Sequence, residues 1–233
     1  MTAEKITAAL KTAKESICNI FFPKRCVYCG KILGYGANLS ICGACLEKCL
    51  TREKPMRGFD VKYFDSVLCG SYYEKHMRKA IIDFKFHGFT YLAPTFAQIL
   101  LIKLKEDFRF AYADIIACVP LSKARMAKRG YNQAELIARE TAASLSGEFV
   151  NDLLFKVKDV PPLSKMSAAK RRRAVKNAYK FNNNFDVKGK NIMIIDDIFT
   201  TGSTMNECAR ILKLNGAKNV FAMCVAETPK HNI

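Results

Sequence analysis

Ile192–Thr204 reads IMIIDDIFTTGST: an apolar run, two acids, then a turn rich in hydroxyls and holding one glycine. A run of this kind is a strand buried on both faces, as in parallel sheets. From Ser203 to Leu214 the apolar positions recur at helical spacing, so the turn joins a strand to a helix. Such a unit puts Asp196 and Asp197 at the carboxyl end of the sheet, where open α/β sheets bind ligands. Adjacent carboxylates accept hydrogen bonds from vicinal sugar hydroxyls and help hold a hydrated Mg²⁺. Thr200, Thr201, Gly202, Ser203 and Thr204 let the backbone curl round a phosphate, with hydroxyl donors and a helix N-terminus behind it. An ordinary capped turn explains Ser203 and Thr204 but not the paired aspartates. The loop lacks the Gly-x-x-x-x-Gly-Lys pattern of a nucleotide P-loop.

The flanks extend the same pattern. Strands are predicted over Ser66–Ser71, Asp114–Val119, Glu148–Phe155, Asn191–Ile195 and Asn219–Val225. Helices are predicted over Glu74–Phe86, Tyr91–Glu106, Gln133–Leu145 and Ser203–Leu214. This alternation argues for a mostly parallel α/β sheet flanked by helices. Residues 1–22 read as an N-terminal amphipathic helix, residues 23–50 as a small module with its own glycines, and Thr51–Asp60 as a polar linker. The α/β domain then spans residues 61–229.

With 233 residues, half of them apolar, the chain suffices for one α/β domain and a small appendage. No apolar run reaches membrane-spanning length, and charged residues interrupt residues 1–22 too often for an export signal. A cytoplasmic location is expected. The charge of +17 favours polyanionic partners. Residues 121–180 hold 14 Lys/Arg against 5 Asp/Glu, which concentrates the field on part of the chain.

Ten cysteines without an export signal point to metal rather than disulfides. Cys26-Val-Tyr-Cys29 and Cys42-Gly-Ala-Cys45 are two C-x-x-C pairs separated by twelve residues, a spacing that suits tetrahedral Zn²⁺. Gly30 and Gly43 are expected to supply positive-φ turns beside the ligands. Cys18, Cys49, Cys69, Cys118, Cys208 and Cys224 read as small buried hydrophobes, with Cys18 and Cys49 weaker alternative ligands.

Two basic segments remain. After Val119-Pro120-Leu121 comes a stretch with Lys123, Arg125, Lys128 and Arg129, closed by Gly130-Tyr131-Asn132-Gln133 at the start of a helix. Residues 156–180 read as a long mobile basic loop with Arg171-Arg172-Arg173 at its centre. These cations suit pyrophosphate or a nucleic-acid backbone, or simply a solvated face. Tyr28, Tyr131 and Tyr179 stand beside cations and are candidate base-stacking rings, or core tyrosines.

The Asp196–Thr204 stretch resembles the phosphoribosyl pyrophosphate signature of type I phosphoribosyltransferases. The resemblance implies that Asp196 and Asp197 contact ribose hydroxyls and Thr200–Thr204 cradle the 5-phosphate, with Mg²⁺. The order FFPKRCVYCG, FKFHG, VPLSKARMAKRGYNQAELIA, SAAKRRRAVKNAYKF and IMIIDDIFTTGST over residues 17–229 is similar to the ComF family of competence-associated proteins. Pro161-Pro162-Leu163 departs from the residues common before the Arg-rich segment in that family. The family implies a type I phosphoribosyltransferase-like fold with an N-terminal zinc module. It also implies single-stranded DNA handling in natural transformation beside a ComFA-type helicase, with peripheral membrane association. Three functions stay open: DNA handling, catalysis of pyrophosphate displacement on an unknown acceptor, and ligand sensing that regulates DNA binding.

Overall fold

The computed structural model describes residues 23–34, 36–51, 62–105, 107–160 and 166–229. Five strands form a parallel sheet: β1 (Ser66–Tyr72), β2 (Ile115–Cys118), β3 (Glu148–Val150), β6 (Asn191–Phe199) and β7 (Asn219–Glu227), ordered β1-β7-β6-β2-β3. Helices α1 (Gly43–Thr51), α2 (Lys75–Phe86), α3 (Ala93–Leu104), α4 (Lys123–Arg129), α5 (Gln133–Ala142), α6 (Ala168–Val175) and α7 (Ser203–Leu214) complete the chain. A separate antiparallel pair joins β4 (Leu154–Lys156) to β5 (Tyr179–Phe181).

The apolar run of β6 divides between two cores, as the strand period dictates. Met193 and Ile195 pack with α3 and α5, and Ile192 and Ile194 pack with α7. Helices therefore cover both faces, which is what a parallel sheet requires. The chain runs from β2 to β3 in one direction across the sheet and from β6 to β7 in the other. The loops after β2 and β6 diverge to opposite faces, so a crevice opens between them at the carboxyl edge.

Two expectations need correction. The strand foreseen over Glu148–Phe155 breaks at Asn151-Asp152-Leu153: Asn and Asp favour turns, and Asn182 holds this one by donating from Nδ2 to the Asp152 carbonyl at 3.0 Å. The basic stretch 156–180 is not a bare loop. It holds α6 between β4 and β5, anchored by buried Val160, Val175, Ala178 and Tyr179 in the core under α7. The segment 123–129 is also helical, stopped by Gly130 at φ +80.

The cysteine-bearing residues have no separate core. Cys26, Val27, Ile41 and Cys45 belong to the same buried cluster as α2 and α3, and the Ser40 amide donates to Thr95 Oγ1 at 2.7 Å inside it. Residues 1–22, Pro161-Pro162-Leu163 and nearly all of the linker lie outside the described residues, and so does Cys18. Among the described residues no helix is long and apolar enough to cross a membrane.

Candidate functional site

β6 does not stop before the acids. It pairs with β7 through Asp196 and on to Phe199, so the pleat sends Asp196 and Asp197 to opposite faces. Their surroundings differ accordingly. Asp196 lines a pocket with Ile198 and the whole turn from Phe199 to Met205. Burial, and then the charge of Asp197, raise its carboxyl to about 7 against the pull of Lys85 and Lys156. Asp197 is only 3% exposed, and its Oδ1 accepts from Lys85 Nζ at 2.9 Å. Its Oδ2 is buried with no partner among the described residues.

The turn leaves its hydrogen-bond donors unspent. Gly202 stands at φ +69 and caps α7 with no side-chain hydrogen bond. Among the described residues, no group accepts from the amides of Thr200, Thr201, Gly202, Ser203 or Thr204. The Thr201 and Ser203 hydroxyls bond each other at 2.8 Å. Free amides, a helix N-terminus and adjustable hydroxyls in one concave turn offer the donors that an anion needs. A left-handed non-Gly residue costs about 1–2 kcal/mol. Gly202→Ala is accordingly expected to destabilise the fold by about 1 kcal/mol in denaturant titration and to weaken phosphate binding at least tenfold.

Two side chains that sequence reasoning did not place act on the acids. Lys85, at the end of α2, reaches Asp197 across the crevice. Lys156, on β4, lies over the Tyr179 ring at 5.4 Å from its centroid. Burial lowers its ammonium pKa, the nearby Arg125 lowers it further, and Asp196 counteracts. Tyr179 is buried with its hydroxyl against Thr204, and burial pushes its phenol well up. No local signal marked Lys85 or Lys156, because both arrive from distant parts of the chain.

The basic candidates separate. Arg125 donates to the Val160 carbonyl at 2.7 Å, tying α4 to the β4–β5 insertion. Arg129 bonds Gln133 and stacks over Phe86 at 5.1 Å; burial lowers its pKa and Asp197 opposes this. Lys123 is exposed at the start of α4. On α6, Arg171 is half-buried and donates to the Met166 carbonyl, whereas Arg172 and Arg173 are exposed. The rest of the Arg-Gly-Tyr-Asn-Gln block is structural. Tyr131 bonds the Phe84 carbonyl, and Asn132 caps α5 through the Ala134 amide while donating to the Val119 carbonyl. Tyr28 is half-buried against the main core.

The sulfurs of Cys26, Cys29, Cys42 and Cys45 lie within 4.8 Å of one another. A tetrahedron with Zn–S near 2.3 Å has edges of about 3.8 Å, and Cys29 Sγ stands 3.9 Å from Cys42 Sγ. The set therefore fits Zn²⁺. Despite burial, backbone N–H groups of Cys42, Cys29 and Tyr28 draw the Cys26 thiol down to about 7, while burial and the neighbouring thiols push Cys45 up. Gly30 has φ +76, and a Cβ there would meet the His76 ring at 2.7 Å. Gly43 needs no positive φ, because it opens α1. Cys69, Cys118, Cys208 and Cys224 are buried, as expected of small hydrophobes.

Residues 93–232 match the model of the phosphoribosyl transferase domain. The chain is 28% identical to competence protein F of Haemophilus influenzae over 91% of its own length and 90% of that protein's. It is 27% identical to the DNA utilization protein YhgH of Escherichia coli K12 over 80% of this chain and 78% of that one. It is 30% identical to competence protein ComFC of Streptococcus pneumoniae over 64% of this chain and 62% of that one. The crevice at the carboxyl edge, the cysteine cluster and these relatives agree: the chain belongs to the phosphoribosyl transferase domain family, in its ComF branch.

Proposed function

We propose that this chain is a ComF-type competence protein that binds phosphoribosyl pyrophosphate, or a related sugar phosphate, and handles single-stranded DNA during natural transformation on the cytoplasmic side. The observation that carries the first half is the row of unpartnered amides at Thr200–Thr204 beside the Asp196 carboxylate, set in the crevice between β2 and β6. In this reading the turn takes the 5-phosphate and Asp196 accepts from a ribose hydroxyl. Asp197 takes the neighbouring hydroxyl as Lys85 turns to the pyrophosphate. The carboxylate oxygens of Asp196 and Asp197 and the nearby hydroxyls would suit a hard cation such as Mg²⁺, which would neutralise charge on the pyrophosphate. The DNA half rests on the clustered charge and on the names of the relatives. A ComFA-type helicase is the proposed partner, with peripheral association at the membrane.

Titration with phosphoribosyl pyrophosphate and with a single-stranded oligonucleotide, separately and together, tests both halves. Saturable binding of each supports the proposal; absence of either removes that half. Arg171→Ala with Arg172→Ala and Arg173→Ala is expected to weaken DNA binding at low salt and to flatten the log-affinity against log-salt slope by about 1–2, at roughly 0.7 per lost phosphate contact. An unchanged slope would take α6 out of the DNA path.

Lys85, paired with Asp197, and Arg129, whose charge interacts with both acids, favour a second reading, an active transferase. A nitrogen nucleophile would bond to ribose C1 as the C1–oxygen bond breaks, with the pair leaving on pyrophosphate and these cations holding the charge. Mg²⁺-dependent pyrophosphate release across a panel of nucleobases checks it, with Asp196→Ala plus Asp197→Ala as the inactive control.

A further inference from the structure

The tyrosines flagged for base stacking are half-buried or buried, yet other rings are not. Phe86 is 66% exposed, Phe89 38% and Tyr91 52%, all within six residues at the end of α2 and the turn after it. Soluble folds do not usually cluster large exposed rings without use for them. Phe89 and Tyr91 lie 5.4 Å apart between centroids. Phe86 has the Arg129 guanidinium over one side of its ring and remains largely open to solvent. The preceding residue, Lys85, is the one that reaches Asp197 in the crevice. Helix α2 carries Lys75, Arg78, Lys79 and Lys85 against a single acid, Asp83, which Lys79 and His87 already engage at 2.6 and 2.9 Å. The surroundings of the rings are thus positive.

We propose that Phe86, Phe89 and Tyr91 form a stacking platform for unpaired bases of single-stranded nucleic acid. The strand's backbone follows the cations of α2 and Arg129 toward the phosphate turn. Rings on a cationic track suit this occupant: every base has a π face, and the backbone supplies the matching charge. A second protein would meet an apolar patch bordered by an excess of positive charge, a poorer match. The proposal rests on the DNA-handling reading and locates the bases within it.

The test compares a dT oligonucleotide with an abasic deoxyribose-phosphate chain of equal length, both titrated into the full chain at several salt concentrations. The wild type is expected to prefer the base-bearing strand by tenfold or more. Phe86→Ala with Phe89→Ala and Tyr91→Ala is expected to abolish that preference while leaving the salt slope unchanged, since no phosphate contact is lost. Phe86→Trp with Phe89→Tyr, which keeps the rings, should retain it and guards against a folding defect in the alanine variant. If the alanine variant keeps the full preference, the platform is wrong and the DNA reading stands. If the wild type binds neither strand, the DNA reading fails and takes the platform with it. Wild-type binding to both strands equally would also overturn the platform.

Discussion

Asp196→Asn is expected to raise the melting temperature at pH 8 and at the same time abolish measurable binding of Mg²⁺-phosphoribosyl pyrophosphate. The carboxyl of Asp196 sits near 7 because burial and the charge of Asp197 oppose ionisation. A carboxyl whose folded pKa lies above its ordinary value binds its proton more tightly in the folded state. The associated stability is complete below about 4 and is lost as the pH climbs through about 7. Asparagine keeps the oxygen that accepts from the Asp197 amide at 2.8 Å and removes the charge. The gain at pH 8 should be on the order of 2 kcal/mol, or about 5 °C, should shrink as the pH falls below about 7, and should vanish only below about pH 4, where the carboxyl is protonated in the folded and unfolded chains alike. The same charge is the one a sugar hydroxyl and Mg²⁺ need, so native affinity should increase about tenfold from pH 6 to pH 8 and level off above it. Thermal melts and calorimetric titrations of both proteins across this range check the two halves. A variant that binds as tightly as the native chain would remove Asp196 from the site.

The second large effect concerns the cysteine cluster. Cys26→Ser is expected to abolish zinc binding at the four cysteines and to lower the melting temperature by about 10 °C. The reason is where the module sits: Cys26, Val27, Ile41 and Cys45 are part of the main core, and Ser40 is bonded to Thr95 inside it. Loss of a structural metal leaves thiolates crowded in a buried place and frees Val27 and Ile41 from their packing, which together amount to about 3–5 kcal/mol. A module on a tether would melt separately and leave the α/β transition where it was. Calorimetry distinguishes these outcomes, and metal analysis should find one zinc per native chain.

The contrast shows which features of the chain were open to reading. The β6 run and the turn after it were legible because every signal is local: an apolar strand, acids at its end, small residues and a helix start. Both cysteine pairs were legible for the same reason, although Gly43 was misjudged because its place at the start of α1 was not anticipated. Lys85 was not legible, since its role depends on the end of α2 meeting the sheet edge 112 positions away, at Asp197. Lys156 and Tyr179 come from three-residue strands, too short for any periodicity to show, and their pairing becomes visible only with the register Lys156↔Tyr179. The opposite orientation of Asp196 and Asp197 follows from the two-residue period of a strand, once the strand is known to continue through them to Phe199.

Whether the turn after β6 grips a sugar phosphate is tested most directly by calorimetric titration of the native chain at pH 8 with phosphoribosyl pyrophosphate, with and without Mg²⁺. One saturable site that needs the cation, and that is lost in Asp196→Asn, is the expected result. No saturable binding up to about 1 mM ligand, with an unshifted melting temperature, would contradict it.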